Sequence, residues 1–197
     1  PKLAPFQVVI VPIYKGEEQL VKISEEALKI KADLEAKGIS VKFDKRDTHK
    51  PGWKFAEYEF KGVPIRIAIG PRDLENGTVE VARRDTLEKE TLQVSDLSNK
   101  VSHLLEQIQK NLYQKAAKFR DDNTHHANSW EDFKELIAKD AGFVFAHWDG
   151  TPETEQKIKE ETKATVRCIP LNNKLKEGFC IYTGNPSKQK VLFAKAY

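Results

Sequence analysis

The stretch FQVVIVPIY, residues 6–14, limits what this chain can become more than any other. Val8, Val9, Ile10 and Val11 follow one another without a polar break. β-Branched side chains favour extended backbone through crowding at the β-carbon, and an unalternated apolar run fits a strand covered on both faces. Such a strand lies inside a sheet with a layer on each side. The next residues agree with that placement. Glu17 to Lys37 carries Leu20, Ile23, Ala27, Ile30 and Leu34 at helical spacing, and Gly38 stops it. ISVKFD, residues 39–44, then alternates as a second strand. Strand, helix, strand favours a parallel pair joined by a right-handed crossover.

The rest of the first half continues the α/β pattern. Trp53 to Phe60 is expected as a short helix ended by Gly62 and Pro64, and IRIAIG as a third strand. On that strand Arg66 and Ala68 share one face, opposite Ile65, Ile67 and Ile69. PRDLENG is expected as a turn, TVEVARR as a strand, Asp85 to Lys89 as a loop and ETLQV as a return strand. The polar tilt of these last strands predicts one more open face. A long helix follows from Ser95 to about Arg120, with a stripe that includes Leu97, Val101, Leu104, Leu105 and Ile108. DDNTHHAN is the most polar stretch and is expected as a boundary. Beyond it a helix capped by Ser129, a strand in GFVFAHW, a helix from Pro152 to Lys163 and a strand in TVRCIP are expected. GFCIY and QKVLFAKAY are expected to form a hairpin across TGNPSK.

Composition excludes several classes. Of 197 residues, 39% are hydrophobic and 32% charged, a globular balance, and no apolar run nears the ~20 residues of a membrane helix. The net charge is only +3, and residues 41–90 carry eleven Lys or Arg against ten Asp or Glu. Any nucleic acid must therefore be held by local placement of charge. Two cysteines, Cys168 and Cys180, give no disulfide framework, so a reducing cytoplasm is the expected setting. His125 and His126 read as solvated linker residues without further metal ligands at workable spacing; His49, His103 and His147 read as structural. VPIYKGEEQ has one glycine where a dinucleotide loop needs three, which argues against a freestanding nucleotide-dependent enzyme.

The residues from His49 to Gly77 remain the candidate site. They hold Trp53, Phe55, Glu57 and Glu59 among the cations Lys50, Lys54, Lys61, Arg66 and Arg72. A carboxylate can accept from guanine N1–H and N2–H, a cation can reach O6 and N7, and an aromatic ring can stack on an unpaired base. Glu59, Arg66 and Trp53 or Phe55 supply all three chemistries. A solvated ion-pair face is the competing reading.

PKLAPFQVVIVPI, then PGWKFAEYEFKGVPIRIAIGPRDLENGTVEVARRD, then VLFAKAY together resemble prolyl-tRNA synthetase of the archaeal and eukaryotic type. The resemblance implies an anticodon-binding domain at 1–105, with a mixed, mostly parallel sheet flanked by helices. A linking helix at 106–122 and a small α/β C-terminal domain at 123–197 complete it. It implies proline tRNA as partner, a homodimer, and a catalytic domain, with ATP and Mg, lying before Pro1. The chain alone is then expected to be inactive, and the missing Met is consistent with a fragment. Proline anticodons end in two guanines, and the residues matching Glu59, Arg66 and Lys89 are those expected to read them. Trp53 and Phe55 would add stacking surface, with Lys89 entering from a loop. Tyr197 is expected to support the active site of the intact enzyme. Many relatives bind zinc through four cysteines; here Asp149, Thr154 and Thr183 stand where three would fall and only Cys180 remains, so zinc is expected to be absent. Cys168 is expected as a buried strand residue. A synthetase-like paralogue with a regulatory role is the alternative.

Overall fold

The Val/Ile run forms β1, Val8–Pro12, and all five of its residues are buried. It pairs in parallel on one side with β2, Val41–Phe43, and on the other with β3, Ile65–Ile69. The computed structural model describes residues 1–171 and 176–195; Tyr197 lies outside them. Two units divide the chain, Pro1–Gln114 and Lys115–Tyr197.

In the first unit α1, Glu17–Ala36, buries Ile23, Ala27, Ile30 and Leu34, and the turn ends at Gly38 with φ +75°, a conformation that favours glycine. Helix α2, Pro51–Phe60, starts on its proline and buries Lys54 and Tyr58. Where a turn was expected, Pro71–Asn76 forms the short helix α3. Pro71 opens it, the Asp73 carboxylate accepts from the Gly70 amide at 2.9 Å, and Gly77 closes it at φ +63°. Six residues are too few for periodicity to reveal. Strands β4, Thr78–Arg83, and β5, Lys89–Gln93, then add antiparallel ladders. The sheet order is β2-β1-β3-β4-β5. The expected mixed sheet is present, but its four ladders divide evenly between parallel and antiparallel, where a mostly parallel sheet was expected. A 3-10 turn, Val94–Asp96, leads into α4, Leu97–Asp122.

Strand alternation sorts the two faces. Val8, Ile10, Ile65, Ile67, Val79 and Val81 pack in one cluster with buried residues of α1 and α4. Val9 and Val11 face the other way, onto Tyr58 and Phe55 of α2 and onto Val63. On this second face Lys89, Thr91 and Gln93 of β5 are exposed, and the Glu80 side chain of β4 keeps 38% of its surface. That is the open face expected from the polar strands.

The second unit has its own core. Strand β6, Thr124–His126, and helix α5, Trp130–Ala138, come first; the Ser129 hydroxyl caps the helix by accepting from the Asp132 amide at 3.1 Å. Strand β7, Phe143–His147, helix α6, Pro152–Thr162, and strand β8, Ala164–Cys168, follow. Two short strands, β9 at Gly178–Phe179 and β10 at Pro186–Ser187, pair with each other, and β11 spans Lys190–Lys195. The larger sheet has the order β6-β7-β11-β8.

Three expectations are corrected here. The last strand is not half of a hairpin with GFCIY. It lies between β7 and β8, where Val191 and Phe193 alternate into a core with Phe133, Val144 and Ile158. DDNTHHAN is not all linker, since Thr124–His126 pairs with β7 and the His126 ring stacks on Phe145 at 5.1 Å. Cys168 is exposed, not buried. It ends an edge strand opposite Leu192, where the register shifts between Leu192 and Phe193.

Candidate nucleic-acid interface

The candidate residues gather on the α2 side of the first sheet. Strand β3 turns Arg66 toward α2, where its side chain keeps only 7% of its surface. The guanidinium carbon lies 3.6 Å from the centre of the Phe55 ring, and Nη1 donates to Glu80 Oε1 at 3.2 Å. Its Nε is buried without a hydrogen-bond partner among the described residues. Lys89 Nζ lies 3.8 Å from the same Glu80 oxygen. Lys89 does not enter from a loop: it opens β5 opposite Ala82. The turn before it is tight, with Leu87 at φ +63° and the Arg83 amide donating to the Glu88 carbonyl, so the ladder resumes at Lys89.

Glu59 follows Phe55 by one helical turn and is exposed. Its backbone carbonyl accepts from Arg84 Nε at 2.7 Å, while its carboxylate has no ion-pair or hydrogen-bond partner among the described residues. Glu59, Phe55, Arg66, Ala82 and Arg84 border one small cleft with about 10 Å³ of free space. One water fills such a space, so a base would meet the rim and not the interior. Trp53 is half-exposed, stacks on His49 at 3.7 Å and has the Arg46 guanidinium 5.7 Å away. Phe55 has one face taken by Arg66.

Beneath these groups a buried network holds the segment between β2 and α2. Asp44, 1% exposed, accepts from Arg46 Nε at 2.9 Å, Arg46 Nη2 at 2.7 Å and the Tyr58 hydroxyl at 3.2 Å. Lys54 donates to the backbone carbonyls of Asp44 and Arg46. Burial alone raises the Asp44 carboxyl, but the Arg46 bonds and the nearby Lys54 charge outweigh it and hold it at about 2. Burial pushes Lys54 below the usual lysine range, and burial beside the Asp44 carboxylate raises the Tyr58 phenol to about 12. Lys54 therefore belongs to the frame of the site and offers nothing to a ligand.

In the second unit, Asp149 gathers the positions expected to have replaced zinc ligands. Its Oδ2 accepts from Thr183 Oγ1 at 2.8 Å, Thr154 Oγ1 at 3.0 Å and Asn185 Nδ2 at 3.3 Å. Its Oδ1 accepts from Thr151 Oγ1 at 2.9 Å and the Thr151 amide at 3.2 Å. Burial raises this carboxyl, the Thr183, Thr151 and Thr154 donors lower it, and the donors prevail. A carboxylate filled by hydroxyl and amide donors, with one nearby thiol on Cys180, does not suit zinc. No group of three or more His, Cys, Asp or Glu among the described residues is placed to hold a metal ion.

Residues 7–104 match the family described as anticodon binding domain, and residues 130–197 the family described as prolyl-tRNA synthetase, C-terminal. The chain belongs to the prolyl-tRNA synthetase family. It is similar over all its residues to proline--tRNA ligases from Porphyromonas gingivalis strain ATCC 33277 at 61% identity, Cytophaga hutchinsonii at 58% and Christiangramia forsetii at 56%. It spans 40% of the length of each of these relatives. Among the described residues no helix is long and apolar enough to cross a membrane.

Against this prolyl-tRNA synthetase frame, two residues stand out that the sequence reading passed over. Glu80 joins Arg66 to Lys89, and only cross-strand register brings the three together. Phe60, 92% exposed, ends α2 seven residues after Trp53, on the same side of the helix. Its signal was available: seven residues is two helical turns, with the short Ala56 between.

Proposed function

We propose that this chain is the tRNA-recognising part of a proline--tRNA ligase, and that its first unit reads the two anticodon guanines. The observation that carries this reading is the cleft rim itself. An unpaired carboxylate on Glu59 and a guanidinium packed on Phe55 border one opening, and a second cation, Lys89, shares the Glu80 carboxylate with Arg66. Glu59 can accept from guanine N1–H and N2–H, which adenine lacks, while Arg66 or Lys89 donates to O6 and N7. The exposed rings of Trp53 and Phe60 offer stacking surface to neighbouring unpaired bases. In the intact ligase, proline activation with ATP and Mg would be the work of other residues, and Tyr197 would support that site.

The test is binding of a 17-nucleotide stem–loop carrying a UGG anticodon, compared with the same RNA bearing adenine for the middle guanine. Each bidentate base contact contributes roughly 1–3 kcal/mol, so Glu59→Ala is expected to weaken the cognate RNA by about one to two orders of magnitude and to narrow the gap between the two. Equal weakening of both RNAs by Glu59→Ala would reject guanine reading by that carboxylate. It would favour a paralogue that binds RNA, or another anion, by charge alone.

A further inference from the structure

We propose that Glu80 is the positioning residue of this interface, fixing Arg66 and Lys89 before RNA arrives, so that guanine discrimination depends on it. The inference rests on the reading of Arg66 and Lys89 as guanine contacts. Register supplies its geometry. Arg66, Ala82 and Lys89 stand in one cross-strand row, and Ala68, Glu80 and Thr91 in the next. Glu80 is thus diagonal to both cations, a distance long side chains can span. Ala82, small and 9% exposed, leaves the gap over which they converge.

Charge supplies the second argument. An arginine side chain with 7% of its surface exposed needs an anion, and Glu80 is its ion-pair partner among the described residues. Phe55 packs against the guanidinium carbon at 3.6 Å and Glu80 Oε1 accepts from Nη1 at 3.2 Å, so two contacts hold the group in place. The same oxygen draws the Lys89 ammonium to 3.8 Å, although that side chain is 57% exposed and otherwise free to swing. With the carboxylate removed, two cations on strands either side of β4 would repel and part. A plain counterion would neutralise charge equally for any RNA; a positioning residue affects the cognate RNA selectively.

The experiment uses the full chain with the UGG stem–loop and its adenine-substituted form as probes. Glu80→Gln keeps the side chain's size and one acceptor oxygen while removing its charge; Arg66→Lys provides the second background, and melting curves check that each variant folds. Glu80→Gln is expected to lower the ratio of the two affinities about tenfold by weakening the cognate RNA, with the substituted RNA changed by less than about twofold. Glu80→Asp is expected to recover part of the ratio. In the Arg66→Lys background with Lys89→Ala added, Glu80→Gln is expected to add less than about twofold, the non-additivity of residues acting through one another. An equal change for both RNAs overturns the proposal and leaves Glu80 a counterion. A full effect in the Arg66→Lys background with Lys89→Ala added also overturns it, because Glu80 then acts on the base itself. If Glu59→Ala and Arg66→Lys leave the ratio intact, the guanine reading fails separately, and any surviving Glu80 effect is again direct.

Discussion

Burial divides the charged residues between His49 and Gly77 into frame and face. Lys50 and Lys54 look alike in the sequence, yet Lys54 is 2% exposed and ties two carbonyls of the segment after β2. Removing one member of a buried pair leaves the other uncompensated, so Lys54→Ala is expected to cost about 3–5 kcal/mol in urea unfolding. Asp44 predicts an acid limb. Its folded pKa of about 2 lies below the ordinary aspartate value of 3.8, so its contribution is complete above about pH 5 and is lost as pH falls through 2 toward about 1. The shift corresponds to roughly 2 kcal/mol, and Asp44→Asn should flatten stability over that window. Phe60 behaves oppositely: Phe60→Ser is expected to leave melting unchanged while weakening both RNAs about fivefold or more, the effect of one lost stacking surface. The face carrying Arg66 was legible because strand parity alone assigns it. Glu80 was not, because in TVEVARR it reads as an ordinary solvated strand residue, and its partners sit 14 residues before it and nine after it, joined only by register.

Among elements, those with a strong period were readable and those held by single contacts were not. Helix α1 announces itself by four buried residues at helical spacing, and β1 by its unbroken Val/Ile run. Strands β9 and β10 have two residues each and no period; the Asp149 hub and the Cys180–Asn185 turn hold them. Asp149→Ala would leave Thr151, Thr154 and Thr183 without their shared acceptor, and a loss of about 1–2 kcal/mol in the second unit is expected by chemical unfolding, the effect of several partly exposed hydrogen bonds lost together. A zinc chelator is expected to leave the melting curve unchanged, and elemental analysis to find no stoichiometric zinc. Gly178 is a further constraint on this region: a β-carbon there would lie 2.4 Å from His147 Nε2, so Gly178→Ala must displace the His147 ring from its bond to Ser187.

For the molecule as a whole, separate cores imply separable behaviour. The first unit encloses its sheet with α1, α2 and the early turns of α4, and the second builds on Phe133, Ile158 and Phe193. Phe193→Ala is expected to cost the second unit about 3–5 kcal/mol, with anticodon stem–loop binding kept within about threefold. Proline-dependent ATP–pyrophosphate exchange is expected to be undetectable with these 197 residues alone. The two sheets also differ in when they can exist. Every strand of the first sheet has been made by residue 93, and the helix stripe that covers it by residue 108. In the second, the strand between β7 and β8 is the last to be synthesised, ending at Lys195. Until the ribosome reaches it, β8 has no neighbour and the core lacks Val191 and Phe193. On an emerging chain the first unit can therefore be finished while the second still waits for its middle.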